Sequence, residues 1–169
     1  MRIRKLLVPL LAVSVLLSGC GFRPIYGTHG AESGSPVAMD LNNIAIDNIP
    51  DRDGQILRNF LIDRMYGENR SQKPAYMLHV KIRSVEQEQG ILANATVTRS
   101  LLDMYGDYSL TNGAGKEVLS GTAHSVAGFD KLDQMYGTVE ARKNAHARTL
   151  HEIGEQIVNR LSLYFSERK

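Results

Sequence analysis

The chain predicts an α+β fold: a two-layer sandwich with element order β-α-β-β-β-α, a mainly antiparallel four-stranded sheet and two helices on one face. Three observations carry that prediction. Residues 76–129 hold three long stretches of alternating side chains separated by turn signals. An apolar stripe at helical spacing precedes them at Leu57, Phe60, Leu61 and Met65. A longer stripe follows at Leu150, Ile153, Ile157, Leu161 and Tyr164, and no internal repeat is visible.

The first segment lies outside that body. Arg2, Arg4 and Lys5 form a basic start, and Leu6 to Leu17 is an apolar run of 12 residues. A stable membrane span needs about 20, so residues 1–19 read as a secretory signal peptide. Leu17-Ser18-Gly19-Cys20 resembles the bacterial lipobox, which makes Cys20 the expected lipidation site and mature N-terminus. Two or more acyl chains hold a protein stably to a membrane, at about 0.8 kcal/mol per buried methylene. Cys20 is the single cysteine. Acylation therefore leaves no thiol for a disulfide, a nucleophile or a metal site. Residues 20–40 read as a lipidated N-terminus and flexible tether, because Thr28 to Pro36 is small, polar and without periodicity. Residues 41–169 then form one domain, large enough to bury a core without staples.

Within that domain, residues 42–49 carry Ile44 and Ile46 at strand spacing and close at Pro50. Asp51 and Asp53 are acidic start signals for a helix over 52–66, which Gly67 ends. Residues 68–74 are a polar loop. Leu78, Val80 and Ile82 alternate with His79, Lys81 and Arg83, giving a half-buried strand over 76–88. Gln89, Gly90 and Asn94 mark a turn, and 95–111 alternates again. Asn112-Gly113-Ala114-Gly115 is a hairpin signal, since these residues accept positive φ cheaply. The return strand, 116–129, has small side chains at Ser120, Gly121, Ala123, Ser125, Ala127 and Gly128. That composition lets a helix, or another protein's wall, approach closely. A helix of about 28 residues ends the chain, with Thr138 the expected N-cap.

Charge narrows the partners. The whole sequence has 20 Lys+Arg against 18 Asp+Glu. Loss of Arg2, Arg4 and Lys5 leaves the mature chain at a formal −1. A near-neutral domain is not built for bulk capture of nucleic acid, so no nucleic-acid partner is expected. An anionic ligand needs a local basic cluster. Lys81 and Arg83 share one side of their strand and Arg99 lies outward on the next, so these three are the candidate phosphate-binding residues. An ordinary solvated face balanced by Glu86 and Glu88 is the alternative.

Catalytic motifs are lacking. His151-Glu152-Ile153-Gly154-Glu155 begins like a zinc-protease motif but carries Glu155 where the second histidine belongs. His146 and His151, five residues apart, do not share a helical face. There is no nucleophile elbow, P-loop or dinucleotide fingerprint, and no metal or cofactor is expected. Asp103 and Asp107 with His124 are the residues an unfamiliar active site would use, although alternating charge on a wet face accounts for the carboxylates. The sequon Asn94-Ala95-Thr96 carries little meaning behind a bacterial lipobox.

After Cys20 come Gly21-Phe22-Arg23-Pro24-Ile25-Tyr26-Gly27. This run resembles the mature start of the LptE family of lipopolysaccharide-assembly lipoproteins, particularly the alphaproteobacterial form. The layout is similar too. The resemblance implies a non-enzymatic outer-membrane lipoprotein, anchored by its lipid and facing the periplasm or the lumen of a barrel. It further implies a plug and folding partner for the β-barrel LptD, and lipopolysaccharide as a ligand. It assigns no residue beyond Cys20. The competing readings are an accessory lipoprotein of another barrel-assembly or lipid-transport complex, and an enzyme using Asp103, Asp107 or His124.

Overall fold

The computed structural model describes residues 40–66, 71–91, 97–131 and 135–168. The chain divides into two units, Met1–Ser33 and Gly34–Lys169, and every described residue belongs to the second. The signal peptide, Cys20, the tether up to residue 39, the run at 20–27 and the turn at Asn94 lie outside the described residues.

After a helical turn at residues 40–42, the elements run β1 (Ile44–Ile46), α1 (Asp51–Tyr66), β2 (Tyr76–Ile91), β3 (Val97–Asn112), β4 (Glu117–Asp130) and α2 (Met135–Glu167). The sheet order is β1-β2-β3-β4. β1 pairs parallel with β2, and the other two pairings are antiparallel. This is the predicted α+β arrangement, with four differences in detail, the first being that β2 does not turn at Gln89 and Gly90 but stays paired with β3 as far as Ile91.

The first strand is shorter than 42–49. Asp47 turns its side chain onto its own chain and accepts the Asn48 backbone N–H at 2.7 Å, and Pro50 follows, so the ladder stops after three residues. Met135 rather than Thr138 begins the last helix, so Thr138 lies inside the first turn and is not the N-cap. The buried stripe of α2 runs Leu150, Ile153, Ile157, Leu161 and then Phe165, while Tyr164 is half-buried. Phe165 continues the four-residue step and meets Tyr76 edge-on, with centroids 5.2 Å apart.

The core lies between the sheet and the two helices. Leu57 and Leu61 of α1, Leu78 of β2, Met104 and Leu110 of β3, and Ile153, Ile157 and Leu161 of α2 are all fully buried. Small residues set the spacing. A Cβ on Gly106 would stand 2.7 Å from Ile153 Cγ2, so α2 lies directly on β3 there. A Cβ on Gly154 would collide with the Cδ1–Cε1 edge of the Phe60 ring, so the glycine lets α1 and α2 come together. Ala123 and Ser125 of β4 are buried under α2 as their size allows, and Ser125 Oγ donates to Glu152 at 2.7 Å. Tyr66 ties the end of α1 to the sheet by donating to the Ile44 carbonyl at 2.6 Å. In the β3–β4 hairpin, Asn112 Oδ1 accepts the N–H groups of Ala114 and Lys116 at 3.0 Å each. Gly115 adopts φ +75°, a conformation that glycine takes without Cβ strain.

Candidate functional site on the open sheet face

Period-two alternation sorts every strand into a helix side and an open side. On β3 the even residues from Ser100 to Leu110 are buried and the odd ones from Leu101 to Ser109 are half-buried. Register then fixes the cross-strand rows of the open face: Lys81, Asp107 and Thr122; Arg83, Tyr105 and His124; Val85, Asp103 and Val126.

These rows form a connected polar surface. Arg83 grips Asp107 with two hydrogen bonds, Nε to Oδ2 at 2.8 Å and Nη2 to Oδ1 at 3.2 Å. Thr122 Oγ1 also donates to Asp107 at 2.8 Å. The Arg83 hydrogen bonds, then that of Thr122, hold the Asp107 carboxyl below the usual range, while Asp107 pushes the Arg83 guanidinium up. His124 Nε2 donates to Asp103 Oδ1 at 2.9 Å, and Gln87 reaches the other oxygen at 3.3 Å. The Tyr105 and His124 rings stack at 4.4 Å and 18°, and Arg83 lies 5.2 Å from the Tyr105 centroid. Guanidinium, phenol and imidazole thus form one row across three strands. Beyond the end of β1, His79 Nδ1 donates to Asp47 at 2.9 Å. The Asn48 N–H, then His79, lower the Asp47 pKa.

The three basic candidates share this face but do not form one cluster. Lys81 and Arg83 are neighbours on β2, whereas Arg99 pairs with Gln89 and Asp130 at the far end. Six residues separate Arg99 from Tyr105, about 20 Å along the strand, and the Arg99 guanidinium lies over Gly128. Arg83 is already committed to Asp107. The acid–base pair does not assemble either. Asp103 and Asp107 are four residues apart, about 13 Å along β3, and each holds its own partner. Two carboxylates acting on one bond need to be about 5–9.5 Å apart. Asp107, held ionised below the usual range, is a weak base.

The truncated zinc motif is taken up in packing. His151 stacks on Phe60 at 4.7 Å, Glu152 receives Ser125, and Glu155 pairs with Arg64 at 3.0 Å. His146 donates to Asp53 at 2.8 Å, joining α2 to the first turn of α1 beside an open groove of about 420 Å³. Among the described residues, no group of three or more His, Asp or Glu is placed to hold a metal. The contributions of Thr122, Gln87 and the Tyr105–His124 stack escape the sequence, because they depend on register between strands.

Comparison with known proteins accords with the geometry. No curated protein matches the sequence significantly. A protein described as a lipoprotein from Caulobacter crescentus shares the fold, with a TM-score of 0.66 and 24% identity over 80% of this chain and 98% of that one. Lipoprotein B from Nitrosomonas europaea gives a TM-score of 0.57 at 14% identity, over 73% of this chain and 83% of its own. A minor lipoprotein from Acinetobacter baumannii gives 0.52 at 15% identity, over 71% and 90%. The family model LptE, Lipopolysaccharide-assembly, matches residues 41–161, from just before β1 into the last turns of α2, and the chain belongs to that family.

Proposed function

We propose that this protein is an outer-membrane lipoprotein, acylated at Cys20, that serves as plug and folding partner of the LptD β-barrel in lipopolysaccharide assembly. The observation that carries the reading is the LptE family match across nearly the whole folded body. Two features support it. The open sheet face carries the side-by-side pairs Arg83–Asp107 and His124–Asp103, a polar patch that suits the polar interior of a large barrel. The candidate acid–base residues are engaged in structural pairs, which favours a binding role over a catalytic one.

Lipopolysaccharide is the proposed ligand of the same face. Lys81 and Arg83 form one basic position and Arg99 a second, so the two meet separate parts of a large anionic molecule. The binding is expected to weaken with salt, since exposed charges are screened over about 8–10 Å at physiological ionic strength.

The test is a paired assay on the full-length lipoprotein: co-purification with outer-membrane barrels, and direct lipopolysaccharide binding. Changing Lys81, Arg83 and Arg99 together to Ala should reduce lipopolysaccharide binding while LptD still co-purifies. Failure of the wild-type protein to bring down LptD would remove the assignment. Recovery of a different barrel would place it in another complex.

A further inference from the structure

We propose that the outer edge of β2, from Val80 to Glu88, takes an extended segment of the barrel partner as an added strand. The choice of occupant rests on the reading in the preceding section; the availability of the edge rests on the structure alone. β2 is 16 residues long and β1 is three. Pairing between them covers Tyr76 to Leu78 and ends where Asp47 N–H donates to the Leu78 carbonyl at 2.9 Å. Tyr76 N–H likewise donates to Asn43 at 3.2 Å. The even residues of β2 therefore aim their backbone groups away from β3. Continuing that alternation, Val80, Ile82, Ser84, Glu86 and Glu88 direct both N–H and C=O outward. Among the described residues, no backbone group bonds to them.

Edges of this length are normally blunted by proline, bulges or outward charges. Residues 76–91 contain no proline, and the register with β3 runs unshifted from Tyr76↔Asn112 to Ile91↔Val97. Lys81 stays exposed on the open face, while other polar side chains along the edge are engaged within the molecule. Arg83 turns to Asp107, Gln87 to Asp103, Glu86 to Arg142 and Glu88 to Lys131. What is left is an unbulged backbone template of the kind that strand addition uses.

Its occupant follows from composition and charge. Residues 21–39 of this chain carry Pro24, Pro36 and four glycines, which suit a strand poorly. A second copy pairing symmetrically about Ser84 would set Val80 against Glu88 and Ile82 against Glu86. Centring on Val85 sets Ile82 against Glu88, and centring on Arg83 opposes two arginines. A different chain fits better. In the open-face column of β2, His79 and Arg83 already hold Asp47 and Asp107, which leaves Lys81 as the exposed cation for a neighbouring strand to meet. The next strand in line matches if it places acidic residues opposite Lys81 and apolar ones against Val80 and Ile82.

The full-length lipoprotein co-expressed with LptD provides the test. Ser84→Pro removes an outward N–H that β3 does not use, so the sheet tolerates it, and its thermal midpoint verifies folding. Ser84→Ala is the control. The proline variant should retain roughly tenfold less LptD, and the alanine variant should match the wild type. Residue-resolved hydrogen exchange on the wild-type complex gives a second readout that needs no substitution. The amides of Ile82, Ser84 and Glu86 should slow at least tenfold on binding, while those of Lys81 and Arg83, already bonded to β3, change little. Equal LptD recovery with Ser84→Pro, or unchanged exchange at the even residues, overturns the edge proposal and leaves the assignment to LptD standing. Absence of LptD from the wild-type preparation overturns the assignment and, with it, this occupant.

Discussion

Asp107 is the residue on which the open face turns. It accepts two hydrogen bonds from Arg83 and one from Thr122, and these hold its folded pKa below the ordinary carboxyl value. An unfolded aspartate titrates near 3.9. The group is depressed on folding, so its stabilisation is fully present above that unfolded value and is lost as pH falls through the folded one. Asp47 is depressed too and works in the same direction. Carboxyl-carbon NMR should show Asp107 titrating below the usual range. Arg83→Ala should move it back upward, and Thr122→Val should do so by less. A titration unchanged by Arg83→Ala would refute the pairing. Both partners are well exposed, so the effect on global stability should be small, as for most surface ion pairs.

At the scale of the element, α2 decides whether the sandwich closes. Ile157 has no exposed surface, so Ile157→Asp buries an unpaired carboxylate and should cost about 4 kcal/mol or more. Lys143 is exposed and pairs with Glu140 within one turn at 2.7 Å, so Lys143→Ala should cost about 0.5 kcal/mol or less. Similar denaturation midpoints for the two variants would refute the assigned face. Gly106→Ala tests the seat of α2 on β3. The added methyl must displace Ile153, a buried β-branched side chain, and should cost about 1–3 kcal/mol. Chemical denaturation measures all three.

For the whole molecule, the expectation is a folded body on a lipid tether. Mass spectrometry of the purified protein should find cleavage before Cys20 with two or three acyl chains added. An unmodified cysteine, or a cut elsewhere, would count against the lipobox reading. Cys20→Ala should release the protein from the membrane or leave it unprocessed. The body should still fold, because the described residues from Leu41 to Phe165 already form a closed core between the sheet and the two helices.

The element order was legible because each element satisfies a local rule. Leu57, Leu61 and Met65 repeat at helical spacing, β3 alternates without interruption, and Asn112 to Gly115 forms a turn that local backbone chemistry favours. The face of α2 followed from its apolar stripe, since burying those side chains is what holds the helix. Ends were less legible. β1 stops where Asp47 folds back on Asn48, and α2 starts at Met135, ahead of its candidate cap. The open face depended on tertiary structure almost entirely. Alternation placed Lys81, Arg83 and Arg99 on one side of the sheet, but it carries no information on distance between strands. Register put Asp107 beside Arg83 and carried Arg99 about 20 Å away. The bare edge of β2 has the same origin: a strand's own sequence reports which face is apolar, whereas the length of its neighbour decides how many of its backbone groups are left to another chain.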